Sequence, residues 1–117
     1  MASAIDTAVY ILEKHGSMAT MKLNKLVYLS NCTDEKPLTA VHGVIYPGLF
    51  NIHKDRMILS YHELLELCKS HGVFVNELKK SEKIKCNKSL KDYGDKTGAE
   101  LAEMFVRCET CNFYIQK

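Results

Sequence analysis

The sequence contains no tryptophan, only two arginines (Arg56 and Arg107), and no apolar run approaching the roughly 20 residues that a membrane-spanning helix needs. The first absence leaves the core to Leu, Ile, Val, Met, Phe and Tyr. The second weighs against base readout, for which arginine is the preferred partner of guanine. The third excludes a transmembrane helix. No basic segment precedes the apolar residues of the N-terminal "MASAIDTAVYIL", so a signal peptide is not expected and a cytoplasmic location is. No serine sits in a Gly-x-Ser-x-Gly elbow, and neither common glycine-rich phosphate loop is present. Carboxylate pairs occur, but none at a spacing that places them across a cleft.

What is there describes one globular unit. The chain has 117 residues, 46% hydrophobic and 26% charged, which fits a single domain spanning residues 1–117 and not a disordered chain. Net charge is +2 with acids and bases interleaved. The one basic concentration is "KKSEKIKCNKSLK", Lys79 to Lys91, with six lysines and one acid, Glu82. It is either a solvated face or a contact for an acidic or phosphate-bearing partner. The five cysteines are an odd number, and without a secretion signal they are expected to be reduced thiols. Asn31-Cys32-Thr33 and Asn87-Lys88-Ser89 match the glycosylation pattern, which cytoplasmic residence makes irrelevant.

Three capping boxes organise the chain. Ser3 and Asp6 open a helix over Ala4–Lys14 with Ile5, Ala8, Val9 and Leu12 on one face, and Gly16 ends it. Ser60 and Glu63 open one that runs to Ser70 and stops at Gly72, and Thr97 and Glu100 open one carrying Leu101, Met104, Phe105 and Cys108. A second helix is expected over Thr20–Ser30, joined to the first by a short link, so that the two pack together. In it Leu23, Leu26 and Val27 face inward, Lys22 and Lys25 outward, and Tyr28 lies at the boundary. Thr33–Thr39 reads as a loop, and "AVHGVIYPG" as a short strand or an irregular buried loop ending in a Pro47-Gly48 turn, with Gly43 permitting a close backbone approach. "VFV", Val73–Val75, can pair as a strand with "KIKC", Lys83–Cys86, and "NFYIQ" is a terminal strand or a tail. The fold class is therefore α+β and mostly helical: a compact helical domain with a small β element in the middle.

Candidate chemistry is thin. "HELLE", His62 to Glu66, has glutamate where a zinc peptidase helix needs its second histidine, and the capping role of Glu63 explains the same residues. Cys68 and His71 fall at i and i+3, and Cys108 and Cys111 have the two-residue spacing of a metal or redox pair, yet neither supplies four ligands. No metal and no cofactor is expected. His15 and His71 each precede a glycine at a helix end, where an imidazolium suits the helix dipole, and His42 reads as a hydrogen-bonded core histidine. His53 completes the scattered set of five. A helix-turn-helix would present Lys22, Asn24 and Lys25 to a DNA groove, but that helix has no arginine.

"AVYILEKHGSMATMKLNKLVYLSN" resembles the opening of the Panacea domain, also called the SocA-like or phage-associated antitoxin domain. The family's Lys-Leu-x-Lys-Leu-x-Tyr helix is matched by Lys22, Leu23, Lys25, Leu26 and Tyr28. "LKDYGDKTGAELAEMFV", Leu90 to Val106, is similar to the family's Tyr-Gly, polar link and amphipathic helix, and "HGVIYPGLF" echoes its Gly-Pro-Val segment, although the family's tryptophan is replaced near His42. The resemblance implies a non-enzymatic, antitoxin-like inhibitor in a bacterial or phage-infected cell. Such a protein neutralises a toxin or a host defence complex by direct contact, and a phage anti-CRISPR or other anti-defence role is a variant of the same mechanism. The expected partner is a protein; nucleic acid is less favoured, a membrane is not expected, and a homodimer is compatible. Partner-binding candidates are Lys22, Lys25, Tyr28, Tyr46, Phe50, Arg56, Tyr61, Lys85 and Lys88, with core packing the competing role for the aromatics.

Overall fold

Two polar side chains start the first helix. In the computed structural model, which describes residues 2–40 and 43–103, the Ser3 hydroxyl accepts the Asp6 N–H at 3.0 Å and the Asp6 carboxylate accepts the Ser3 N–H at 3.2 Å. Helix α1 (Ala4–His15) follows and ends at Gly16, whose φ of 102° no side chain tolerates easily. Strand β1 (Met18–Ala19) then leads directly into helix α2 (Thr20–Ser30), which closes on Asn31 in the left-handed conformation. Strands β2 (Leu38–Ala40) and β3 (Gly43–Ile45) form an antiparallel pair, with Leu38 opposite Ile45 and Thr39 opposite Val44. Helix α3 (Pro47–His53), strand β4 (Ile58–Leu59) and helix α4 (Tyr61–Ser70) come next. An extended stretch then precedes helix α5 (Lys80–Tyr93), and a further helix opens at residue 98 behind the expected Thr97/Glu100 box.

The result is the mostly helical α+β domain expected, with β1 paired to β4 as well as β2 to β3. The core is one cluster in which Leu23, Leu26 and Val27 of α2 meet Val9, Ile11 and Leu12 of α1, Leu49 of α3, Leu59 of β4 and Leu64 of α4. Leu23 and Leu26 are fully buried, and Ile5 packs against the same cluster from its margin. A second, smaller cluster gathers Ala2, Tyr10, Cys32, Leu78 and Cys86 where α1, α5 and the residues after α2 meet.

Four expectations need correction. Lys83–Cys86 is not a strand paired with Val73–Val75; it lies inside α5, which Glu82 starts by accepting the Lys79 N–H at 2.8 Å. Pro47-Gly48 opens a helix instead of making a turn, because proline's fixed φ and missing N–H suit the first helical position. Leu38 and Thr39 leave the expected loop to pair with β3. Lys25 does not face outward: α1, α5, β1 and β3 all pack on α2, so this helix has little free circumference. Gly43 does permit a close approach, since a Cβ there would lie 2.7 Å from the Lys25 Cε atom. His42, Met104, Phe105, Arg107, Cys108, Cys111 and "NFYIQ" lie outside the described residues.

The α2 core face sets the stability of the whole. Leu26→Ala is expected to cost about 2–5 kcal/mol by cavity formation, whereas Ile84→Ala on the exposed side of α5 should stay within about 0.5 kcal/mol. Urea unfolding of the two variants measures the contrast.

Candidate interaction surfaces

The Lys-Leu-x-Lys-Leu-x-Tyr helix holds the domain together from the inside. The Lys22 ammonium donates to the Gly94 carbonyl at 2.8 Å, and the His15 Nε2 donates to the same carbonyl at 2.9 Å, so both fasten the turn that ends α5. Lys25 is 3% exposed and lies against Gly43; burial lowers its pKa by penalising the charged form. Tyr28 is half-buried against the main core, and Tyr46 is 3% exposed, with its pKa raised chiefly by burial. Two of the candidate contact residues, Lys25 and Tyr46, are therefore interior positions, and Lys22 is engaged within the fold. Of the three polar residues assigned to a DNA groove, Asn24 and Lys25 are buried and Lys22 is tethered, so α2 has no recognition face of the kind a helix-turn-helix presents.

Asn24 explains why a polar residue sits at the centre. Its amide nitrogen donates to the Thr20 carbonyl at 2.8 Å and pairs with His53 Nε2 at 3.2 Å, and its oxygen accepts the Tyr46 N–H at 2.9 Å. The two backbone partners fix the orientation of the amide, so His53 Nε2 is the acceptor and Nδ1 carries the ring hydrogen. Nδ1 has no hydrogen-bond partner among the described residues. His53 is buried, and desolvation holds its pKa below the ordinary 6.5. Protonation would also set Nε2–H against the Asn24 amide hydrogens. His71 behaves as expected of a helix end: its Nδ1 lies 2.8 Å from the Leu67 carbonyl.

The outer surface is more informative. In the β1–β4 pair, Met18 and Leu59 stand opposite each other and are buried, whereas Ala19 and Ile58 stand opposite each other and are exposed. The Thr20 N–H donates to the Met57 carbonyl at 2.9 Å, which brings the start of α2 alongside. Met57 is 84% exposed and Ile58 63%, two consecutive large apolar residues, and Met21, 42% exposed, follows the residue bonded to the Met57 carbonyl. Arg56 precedes Met57 and pairs with Glu63 at 2.8 Å. An open cleft beside this pair is lined by Arg56, His62, Glu63, Glu66, Leu67 and Ser70, so the polar residues of "HELLE" border solvent while Leu64 is buried in the core. Glu63 also accepts the Ser60 N–H at 3.0 Å, completing the capping role read from the sequence. Phe50 is 40% exposed, its ring centroid 5.4 Å from that of His53 in an edge-to-face arrangement, and Tyr61 is half-buried at the margin of the main core. Met57 and Ile58 were not legible as a surface, because nothing local shows that their segment pairs with β1.

Helix α5 supplies a second face. It buries Glu82, Cys86 and Ser89 and exposes Lys80, Lys85, Lys88 and Lys91 around Ile84. Its pairings are exposed and weak: Lys88 lies 3.3 Å from Asp92, and Lys85 lies 3.5 Å from the Asn31 carbonyl. Lys83 is taken up by Glu77 at 2.8 Å. Among the described residues no three His, Cys, Asp or Glu side chains converge as metal ligands. None of the described helices is long and apolar enough to cross a membrane.

Two outcomes follow from this geometry. Below pH 6.5 the unfolded chain takes a proton at residue 53 that the folded chain resists, so stability should fall as pH drops from 6.5, and His53→Gln should flatten that part of a pH series of urea midpoints. Reversing Lys85, Lys88 and Lys91 together to glutamate should slow association with an acidic partner about tenfold at low salt and little at high salt, measured by stopped flow.

No family model matches the chain, and neither a curated protein nor a solved structure matches it.

Proposed function

We propose that this chain is a non-enzymatic inhibitor of antitoxin type, which neutralises a toxin or a host defence complex by covering part of its surface. The observation that carries the proposal is the exposure of the consecutive apolar residues Met57 and Ile58, at a short antiparallel pair whose Met18 and Leu59 are buried in the core, with Met21 also exposed early in the adjoining helix. Single exposed apolar residues are ordinary, but two large ones in succession, 84% and 63% exposed, carry an unfavourable hydration that a partner's contact would relieve. Arg56 immediately precedes them and supplies the kind of anchor that interface centres favour. A standard interface of roughly 800 Å² per partner is within reach of a domain this size. The likeness to the Panacea domain agrees with this reading through Lys22, Leu23, Lys25, Leu26 and Tyr28, although those residues serve the scaffold.

The α5 lysines contribute in a different way: exposed, mobile charges raise the rate of encounter more than they tighten the complex. A regulator that binds DNA through the first two helices remains the reading from another class, and the burial of Asn24 and Lys25 weighs against it.

The deciding experiment is growth rescue from a toxin encoded beside this chain's own gene. The double variant Met57→Asp, Ile58→Asp should lose rescue and binding while its thermal midpoint stays within about 2 °C of the parent, because both side chains are exposed. Undiminished rescue by a folded double variant would sink the proposal. So would binding to mixed-sequence duplex DNA whose affinity falls steeply with salt and survives the double substitution.

A further inference from the structure

We propose that Cys32 and Cys86 form an oxidisable dithiol, a covalent site at which the chain closes an intramolecular disulfide between the residue following the cap of α2 and the middle of α5. The sulfurs lie 3.6 Å apart although the residues are 54 positions apart in sequence. Both side chains are fully buried, and they occupy the small core cluster with Ala2, Tyr10 and Leu78. Sulfur–sulfur contact at this distance needs a further approach of about 1.5 Å to reach bonding length, within the range of side-chain rotation. The surroundings are fastened independently of the thiols. The Ala2 N–H donates to the Cys32 carbonyl at 3.2 Å and to the Glu82 carboxylate at 3.0 Å, holding the two cysteine-bearing segments together. The Cys32 thiol lies within donating distance of the carbonyls of Ser30 (3.4 Å) and Glu82 (3.3 Å), and S–H is a weak donor, so oxidation gives up little. Cys68, the remaining described cysteine, lies in the other core cluster.

A small-molecule disulfide of the glutathione type serves as oxidant. One protein thiolate attacks a sulfur of the oxidant, which breaks the oxidant's S–S bond and releases one small thiol. The second protein thiolate then attacks the protein sulfur of the mixed disulfide and releases the second small thiol. The two cysteines lose two electrons and two protons, and the oxidant is reduced to two thiols. Burial pushes the Cys86 thiol up to about 12 and raises that of Cys32 as well, so neither is a competent nucleophile while the domain is closed. The first step therefore belongs to molecules in which α5 has opened from the end of α2, and reclosure delivers the second sulfur. The same burial shelters the finished disulfide from reductant. The chain would thus become more stable in an oxidising environment and keep that gain for some time after the environment changes.

The test uses the full chain carrying Cys108→Ser and Cys111→Ser, which removes the competing close pair. After incubation with oxidised glutathione at a temperature that populates open molecules, intact mass should fall by about 2 Da. A peptide map should join the Cys32 peptide to the Cys86 peptide, and the thermal midpoint should rise by about 10 °C, reversibly with dithiothreitol. The further variant Cys86→Ser should show neither the mass loss nor the shift. Should that variant fail to fold, the map and midpoint of the parent still decide. Three alkylatable thiols after oxidation, a persistent glutathione adduct, a link through Cys68, or a 32–86 link that does not raise the midpoint would each overturn the proposal.

Discussion

One side-chain amide ties the centre of this domain together. Asn24 satisfies the Thr20 carbonyl in its own helix, the Tyr46 N–H where β3 gives way to α3, and His53 Nε2 at the far end of α3. A buried amide is costly unless its capacity is used, and here it is used on both its oxygen and its nitrogen. The arrangement fixes the position of α3, and through the short turn after His53 it fixes the approach of β4 to β1. The exposed Met57 and Ile58 stand at that pair. Lys22 does comparable work on the other side of α2, holding the end of α5 through Gly94. Packing on nearly every side of α2 makes these polar fasteners necessary, because a wholly apolar helix would not determine which neighbour sits where.

Much of this frame was legible from the sequence, and the legible parts share a cause. The Ser3/Asp6, Ser60/Glu63 and Thr97/Glu100 boxes are local: each is a reciprocal pair of bonds over three residues, formed as read. Helix α2 was bounded correctly because Leu23, Leu26 and Val27 carry a helical period. Helix α5 is hard to read because its fully buried positions are Glu82, Cys86 and Ser89, and its apolar contacts, Leu90 and Tyr93, come only in its last turn. It is a helix because Glu82 satisfies its start and because Cys86, Leu90 and Tyr93 dock it on the two core clusters. Lys25 was placed outside by its charge alone. Its burial depends on a glycine 18 residues later that leaves room for its stem, a relation no local pattern carries.

The surface was less legible than the frame, for a physical reason. Of the nine candidate contact residues, the exposed Phe50, Arg56, Lys85 and Lys88 remain on the outside, whereas Lys25 and Tyr46 are inside. Aromatic rings and lysine stems are equally at home in a core wall and in an interface, so residue type alone does not separate the two. Met57 and Ile58 are unremarkable as an apolar pair in sequence, and only their pairing with β1 shows that Leu59 is held in the core while they stay exposed.

The division between frame and surface bears on the proposed Panacea likeness, which no family model matches. The residues that carry it, Lys22, Leu23, Lys25, Leu26 and Tyr28, hold or fill the domain, so a likeness there would concern how the chain is built. The β1–β4 edge and the outer face of α5 lie outside that motif, and few core contacts constrain their side chains. A domain arranged this way can exchange its contact residues without disturbing Asn24 or the leucines beneath, because substitutions at exposed positions leave stability nearly unchanged. On the proposed inhibitory reading, that independence would let the contact residues follow a changing target while the frame stays fixed.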